Sequence, residues 1–184
     1  MSTRHAPTQA PMLEMGIVPS SQVSDRPWGV SSIRDNLASI PLSRDLRSVL
    51  YDKSGTPLTY LDLGRMGVSV HEAWDRAARN LLAQNSSSEG VEFLIRPAHR
   101  RLDGTPGWDI AHARKWMAHP STFTVLHRHL HSLLTPRTEL SFILCPDQEV
   151  AVYDCAPDSA RQSLKCAASH AEVITYSLGF PVMR

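Results

Sequence analysis

Five of the nine histidines in this chain crowd between residues 112 and 131: His112, His119, His127, His129 and His131. Imidazole is both a metal ligand and a proton carrier near neutral pH, so these spacings are the first place to look for chemistry. On a strand, His127, His129 and His131 would share one face. That strand would also aim Arg128 into the core between Leu126 and Leu130, and an unpaired buried charge is expensive. A helix buries Leu126, Leu130, Leu133 and Leu134 together and is the predicted state. On that helix His127 and His131 lie one above the other, and His129 points roughly the opposite way. Two ligands fall short of the three protein ligands of catalytic zinc and the four of structural zinc. His112, His119 and Asp109 are the nearest sources of a third. No H-E-x-x-H occurs, and no cysteine spacing closes a finger. No metal is therefore expected, and His127 and His131 are the residues that would hold one.

A second constellation precedes the first. Gly107-Trp108-Asp109-Ile110-Ala111-His112 leads into Lys115, Trp116 and His119. Helical spacing would set Trp108, His112 and Trp116 on one face and let Asp109 reach His112. An aspartate-oriented imidazole beside two indoles is a candidate general base, or the lining of a small-ligand pocket. The plainer assignment makes Asp109 a helix N-cap, the tryptophans core and His112 exposed. Arg96, His99, Arg100 and Arg101 form the one local basic cluster, able to grip a phosphate or an acidic partner through guanidinium forks. Asp62-Leu63-Gly64-Arg65-Met66-Gly67 places glycines before a helix start but matches neither nucleotide-binding loop. No G-x-S-x-G occurs and no cysteine stands next to a histidine, so no nucleophile is identifiable.

The elements that must position these residues are legible from residue 46 onward. Residues 46–52 and 58–63 read as strands around Lys53-Ser54-Gly55-Thr56-Pro57, a hairpin signal. Ser69-Val70-His71-Glu72 is a capping box, and Val70, Trp74, Ala77, Ala78 and Leu81 follow at helical spacing through about residue 83. Residues 91–96 read as a strand and 97–107 as a basic loop. A short helix capped by Asp109 is predicted through about residue 117. A second helix opens at Pro120 with Phe123, Leu126, Leu130, Leu133 and Leu134 inward. Residues 140–145 and 149–155 read as strands joined by Pro146-Asp147-Gln148. A helix over 158–170 and a strand over 173–178 complete the chain. Hairpin strands interrupted by helices predict an α+β domain: a mixed, mostly antiparallel sheet carrying three to four helices. Residues 1–27, rich in Ser, Thr, Pro and Gln, read as a flexible leader, with residues 12–18 able to rest on a single domain over 28–184.

Composition narrows the function classes. The chain has 184 residues, 42% apolar and 20% charged, with a net charge of +1. So small a charge argues against a nucleic-acid footprint or an anionic membrane surface. No window approaches a membrane span, and the N-terminal apolar stretch is too short for a secretory signal. Cys145, Cys155 and Cys166 are odd in number and lack a C-x-x-C pair, which suits reduced core cysteines in a cytoplasmic protein.

Two local patterns carry a resemblance. Leu61-Asp62-Leu63-Gly64 precedes a helix containing Ala77, Asn80 and Leu81, and Pro146-Asp147-Gln148-Glu149-Val150 turns between two strands. In this order, over about residues 58–155, they resemble a family of small bacterial cytosolic proteins that carries only a domain-of-unknown-function label. The resemblance implies an α+β cytosolic domain and supplies no catalytic residues. The expectation is a non-catalytic domain binding a partner protein or a small ligand, through Trp108, His112, Trp116, Arg96, Arg100 and Arg101, with no cofactor. The rival is a hydrolase using Asp109 with His112, or a metal on His127 and His131. An unpaired edge strand could also join two copies into a homodimer.

Overall fold

The computed structural model describes residues 12–23, 36–98, 102, 104–144, 150–166 and 171–184. The fold is α+β. A three-stranded sheet has the order β1-β3-β2, from Leu13–Pro19 (β1), Ser39–Pro41 (β2) and Leu46–Asp52 (β3). Two helices follow, Tyr60–Arg65 (α1) and Val70–Gln84 (α2), then a minimal hairpin of Ser86–Ser87 (β4) and Gly90–Val91 (β5). Ile95–Pro97 (β6) and Gly107–Ile110 (β7) open the main sheet. The helices Ala113–Trp116 (α3) and Pro120–Leu134 (α4) come next, then Leu140–Leu144 (β8) and Val150–Asp154 (β9). Pro157–Cys166 (α5), Glu172–Ser177 (β10) and Phe180–Met183 (β11) finish the chain. The main sheet runs β11-β10-β8-β9-β7-β6, and the strand pairs among the described residues are antiparallel throughout.

Strand alternation explains the layers. Phe142 faces Val152 across β8 and β9, while Ile143 faces Ala151 on the opposite side. Phe142, Val152 and Ile174 join the large core, shared with α2, α4 and the three-stranded sheet. Ile143, Ala151, Tyr153 and Val173 form a smaller core with Ala160 of α5. A central strand covered on both faces needs a continuous apolar run, and Leu-Ser-Phe-Ile-Leu is buried at every position. Both edge strands carry a proline, Pro97 in β6 and Pro181 in β11, where the missing N–H does no harm and blunts strand addition. No helix among the described residues is long and apolar enough to cross a membrane.

Several elements depart from expectation. Residues 13–19, placed in the leader by composition, are β1, whose Leu13, Met15 and Ile17 are core residues paired along the whole of β3. The second arm of the first hairpin is largely helix. Thr59 and Asp62 form a capping box, with Asp62 N–H donating to Thr59 Oγ1 at 3.2 Å and Thr59 N–H to Asp62 Oδ2 at 3.0 Å. Asp109 caps no helix: it lies in β7, hydrogen-bonded between β6 and β9. Trp108 and Ile110 alternate with Gly107 and Asp109, a two-residue period that the sheet exploits. The strand of 91–96 is split between β5 and β6, and the α-helices among the described residues number five, of which α1 and α3 are short. The turn at Pro146-Asp147-Gln148, with Cys145, and the end of the 158–170 helix lie outside the described residues. The box of Ser69 and Glu72 opens α2 as expected, and α4 begins at Pro120 as expected.

Candidate functional site

The start of α4 is built from two helices. From α2, Trp74 sends its indole Nε1–H to the carbonyl of Ala118 at 2.8 Å, and its ring lies 4.1 Å from the His119 ring. Asp75, the next residue of α2, sets Oδ1 3.1 Å from His119 Nε2. On the other side of the imidazole, Nδ1 accepts the backbone N–H of Ser121 at 3.1 Å, which makes His119 the N-cap of α4. Ser121 Oγ lies 2.8 Å from the same Nδ1. Thr122 Oγ1 donates to the carbonyls of Trp116 and His119, at 2.7 and 3.0 Å, and locks the approach to the helix.

These contacts fix the tautomer. A backbone N–H can only donate, so Nδ1 carries the lone pair and the ring proton sits on Nε2, donating to Asp75. Ser121 Oγ can therefore bond Nδ1 only as a donor, sharing the one lone pair of that nitrogen with the Ser121 N–H. Burial holds the His119 pKa below its usual value despite the hydrogen bond and charge of Asp75, so the ring is neutral near pH 7. An Asp–His–Ser chain of this kind has the parts of a nucleophilic relay.

The other histidines disperse as helical geometry requires. His129 stacks on Phe93 with centroids 4.7 Å apart. His127 stacks on Tyr176 of β10 at 4.1 Å, with His131 beside it at 4.4 Å. No group of three or more metal-ligating side chains occurs among the described residues, so His127 and His131 have no third donor there. Desolvation, and secondarily the neighbouring His131, push the His127 pKa down to about 4. The folded state then binds its proton less tightly than the unfolded chain, whose histidine titrates near 6.5. Stability should therefore be fully present above about pH 6.5 and fall as pH drops toward about 4. Allowing for solvent screening of a half-buried ring, about 1–2 kcal/mol is expected from this residue. Urea midpoints at pH 7 and pH 4.5 measure it. His127→Phe, which keeps a ring on Tyr176, should lose less stability on acidification than the wild type; an equal loss would clear His127 of the effect.

The second constellation does not assemble as its spacing suggested. Asp109 is buried in β7 and makes an ion pair with Arg96 at 3.5 Å. His112 is exposed and left-handed at φ 56°, preceding α3. With residues 107–110 in a strand, the helical spacing that would have joined Asp109 to His112 is gone. Trp116 is in the core against Phe93, at 4.6 Å, whereas Trp108 is half-buried on the sheet. Of the basic cluster, Arg96 is spoken for by Asp109, and His99, Arg100 and Arg101 lie outside the described residues.

Two further features stand apart. A cavity of about 240 Å³ between α5, β10 and β11 is lined by Arg161, Leu164, Val173 and Arg184 among others. The two-residue turn between β10 and β11 holds Leu178 at φ 49° and Gly179 at φ 91°, with Leu178 93% exposed. Gly179 sits against Pro120 and Thr124 of α4. Comparison of the chain with protein-family models, curated proteins and solved structures found no match.

Sequence reasoning passed over Asp75, Ser121 and Leu178. His-Pro-Ser opening a helix was a legible cap signal for Ser121. Asp75, 44 residues from His119, had none.

Proposed function

We propose that this chain is a partner-binding domain that presents Leu178, with Phe180 beside it, to an apolar cleft on another protein. One observation carries the reading: a leucine stands 93% exposed at a positive φ of 49°. The backbone conformation works against the isolated fold, and the exposure leaves the side chain free to bind. The left-handed conformation costs a residue with a Cβ about 1 kcal/mol, and asparagine is the usual occupant of this turn position. Local strain held in place by its surroundings is a pointer to function. Phe180, 38% exposed, extends the apolar surface from the first residue of β11.

A protein partner fits better than a small ligand. The cavity at α5, at about 240 Å³, lies below the roughly 300–1,000 Å³ of ordinary small-molecule sites, so it is not the site proposed, and an exposed apolar turn suits a protein cleft. Pro97 and Pro181 oppose strand addition at the two edges of the main sheet, so a strand added there is not the proposed occupant. Binding through the turn requires no cofactor, and the cytoplasmic setting suggested by the cysteines belongs to the same reading.

Leu178→Asn tests it, because the reading makes stability and binding move in opposite directions. The variant should be more stable by about 1 kcal/mol, raising Tm by roughly 2–4 °C for a chain of this size. It should also lose the partner that the immobilised wild type retains from lysate. A variant that retains the same partner at the same yield, or that gains no stability, would contradict the proposal.

A further inference from the structure

We propose that Ser121 is a nucleophile, activated by His119 and Asp75, that hydrolyses carboxylic esters at the open N-terminus of α4. The geometry carries it. Ser121 is exposed, its Oγ lies 2.8 Å from an Nδ1 that can only accept, and Asp75 accepts a hydrogen bond from the far nitrogen at 3.1 Å. Both contacts fall within the hydrogen-bond reach that an activated serine needs. Trp74 packs 4.1 Å from the imidazole and is itself fixed by its Nε1–H on the Ala118 carbonyl, while Thr122 Oγ1 donates to the main-chain carbonyl of His119. The order of nitrogens is the reverse of the usual triad, with Nδ1 toward the serine, and the roles are unchanged because each nitrogen does one task.

The steps balance with water as the only co-reactant. Ser121 Oγ bonds to the ester carbonyl carbon while its proton passes to His119 Nδ1. Nε2 keeps its proton and donates it in a hydrogen bond to Asp75, whose carboxylate steadies the imidazolium. The negative charge that develops on the carbonyl oxygen lies at the start of a 15-residue helix, whose dipole favours it. The carbon–oxygen bond to the alcohol then breaks and the alcohol leaves with the proton from Nδ1. Water attacks the acyl-serine, giving its proton to Nδ1, and Ser121 Oγ departs and recovers it. The products are a carboxylic acid and an alcohol.

Here His119 and Ser121 are the catalytic residues, and Asp75 is a positioning residue. The test uses the full chain, an ethoxy fluorophosphonate probe followed by intact and peptide mass spectrometry, and p-nitrophenyl acetate turnover. The expected result is one adduct on Ser121, together with ester turnover that Ser121→Ala abolishes. His119→Asn keeps a side-chain acceptor at the N-cap while removing the base, and should slow both reactions about a hundredfold. Asp75→Asn should slow them about tenfold or more at unchanged Tm, a separation that a purely structural aspartate would not show. A folded wild type that takes no adduct at Ser121 overturns the proposal. So does an adduct formed equally fast in His119→Asn, and so does an adduct without p-nitrophenyl acetate turnover.

Discussion

Gly107→Ala should destabilise the fold by about 2–4 kcal/mol, a large fraction of what a domain of this size possesses. Gly107 pairs directly with Tyr153 across β7 and β9. A Cβ at residue 107 would come within 2.3, 2.6 and 2.9 Å of Tyr153 Cε1, Cζ and Cδ1, all far inside contact distance. The tyrosine ring thus lies across the glycine, filling the space a side chain would take. It has little room to retreat, since Tyr153 is 3% exposed and belongs to the core beneath α5 with Ile143, Ala151, Ala160 and Val173. Moving β7 instead would disturb its pairing with both β6 and β9. Urea unfolding measures the loss, with Gly64→Ala as the control: Gly64 lies in α1 with nothing within 4 Å of a new Cβ. That change should be neutral or mildly stabilising, because alanine is the better helix former. A Gly107→Ala variant within about 0.5 kcal/mol of wild type would show that the ring moves freely, contrary to the packing described.

Phe123→Ala should cost still more, about 3–5 kcal/mol, and leave a protein that is partly unfolded at room temperature or poorly expressed. Phe123 is fully buried at the contact between α4 and the main sheet. Its ring meets Phe142 of β8 at 5.3 Å and Tyr176 of β10 at 5.1 Å, both edge to face. Such pairs add to the burial of the ring itself, so truncation removes apolar area and aromatic geometry together. The cavity left behind would border strands that are hydrogen-bonded on both sides and cannot collapse into it. Phe123→Leu, which keeps most of the volume, should lose much less. Denaturant midpoints for the two variants decide the matter, and a loss below about 1 kcal/mol for Phe123→Ala would mean that α4 is not the helix anchoring this face.

The candidate sites were legible to different degrees for a common reason. That His127 and His131 share a face, and His129 does not, follows from the helical period and needed no tertiary information. The Asp109–His112 pairing relied on a helix over residues that the sheet claims, and it fell with that helix. The relay at His119 was half visible: His-Pro-Ser marks a helix start, but the carboxylate that orients the ring comes from the middle of another helix. The exposed turn at Leu178 was missed because leucine is so poor a predictor of positive φ.

By itself, the sequence determined the elements whose stability is local. The capping box at Ser69, the proline opening α4, the helical stripes through Leu81 and Leu130, and the apolar runs of β3, β8 and β9 all show in the chain, because caps and periods act over a few residues. Only the tertiary structure decided that Leu13–Pro19 is a strand, that Gly107–Ile110 joins the main sheet, and that Asp75 meets His119. A strand draws its hydrogen bonds from partners distant in sequence, and an aspartate acquires a histidine only when two helices pack. Where the stabilising partner is far along the chain, local pattern carries no record of it, and residues 75, 107 and 119 are such positions.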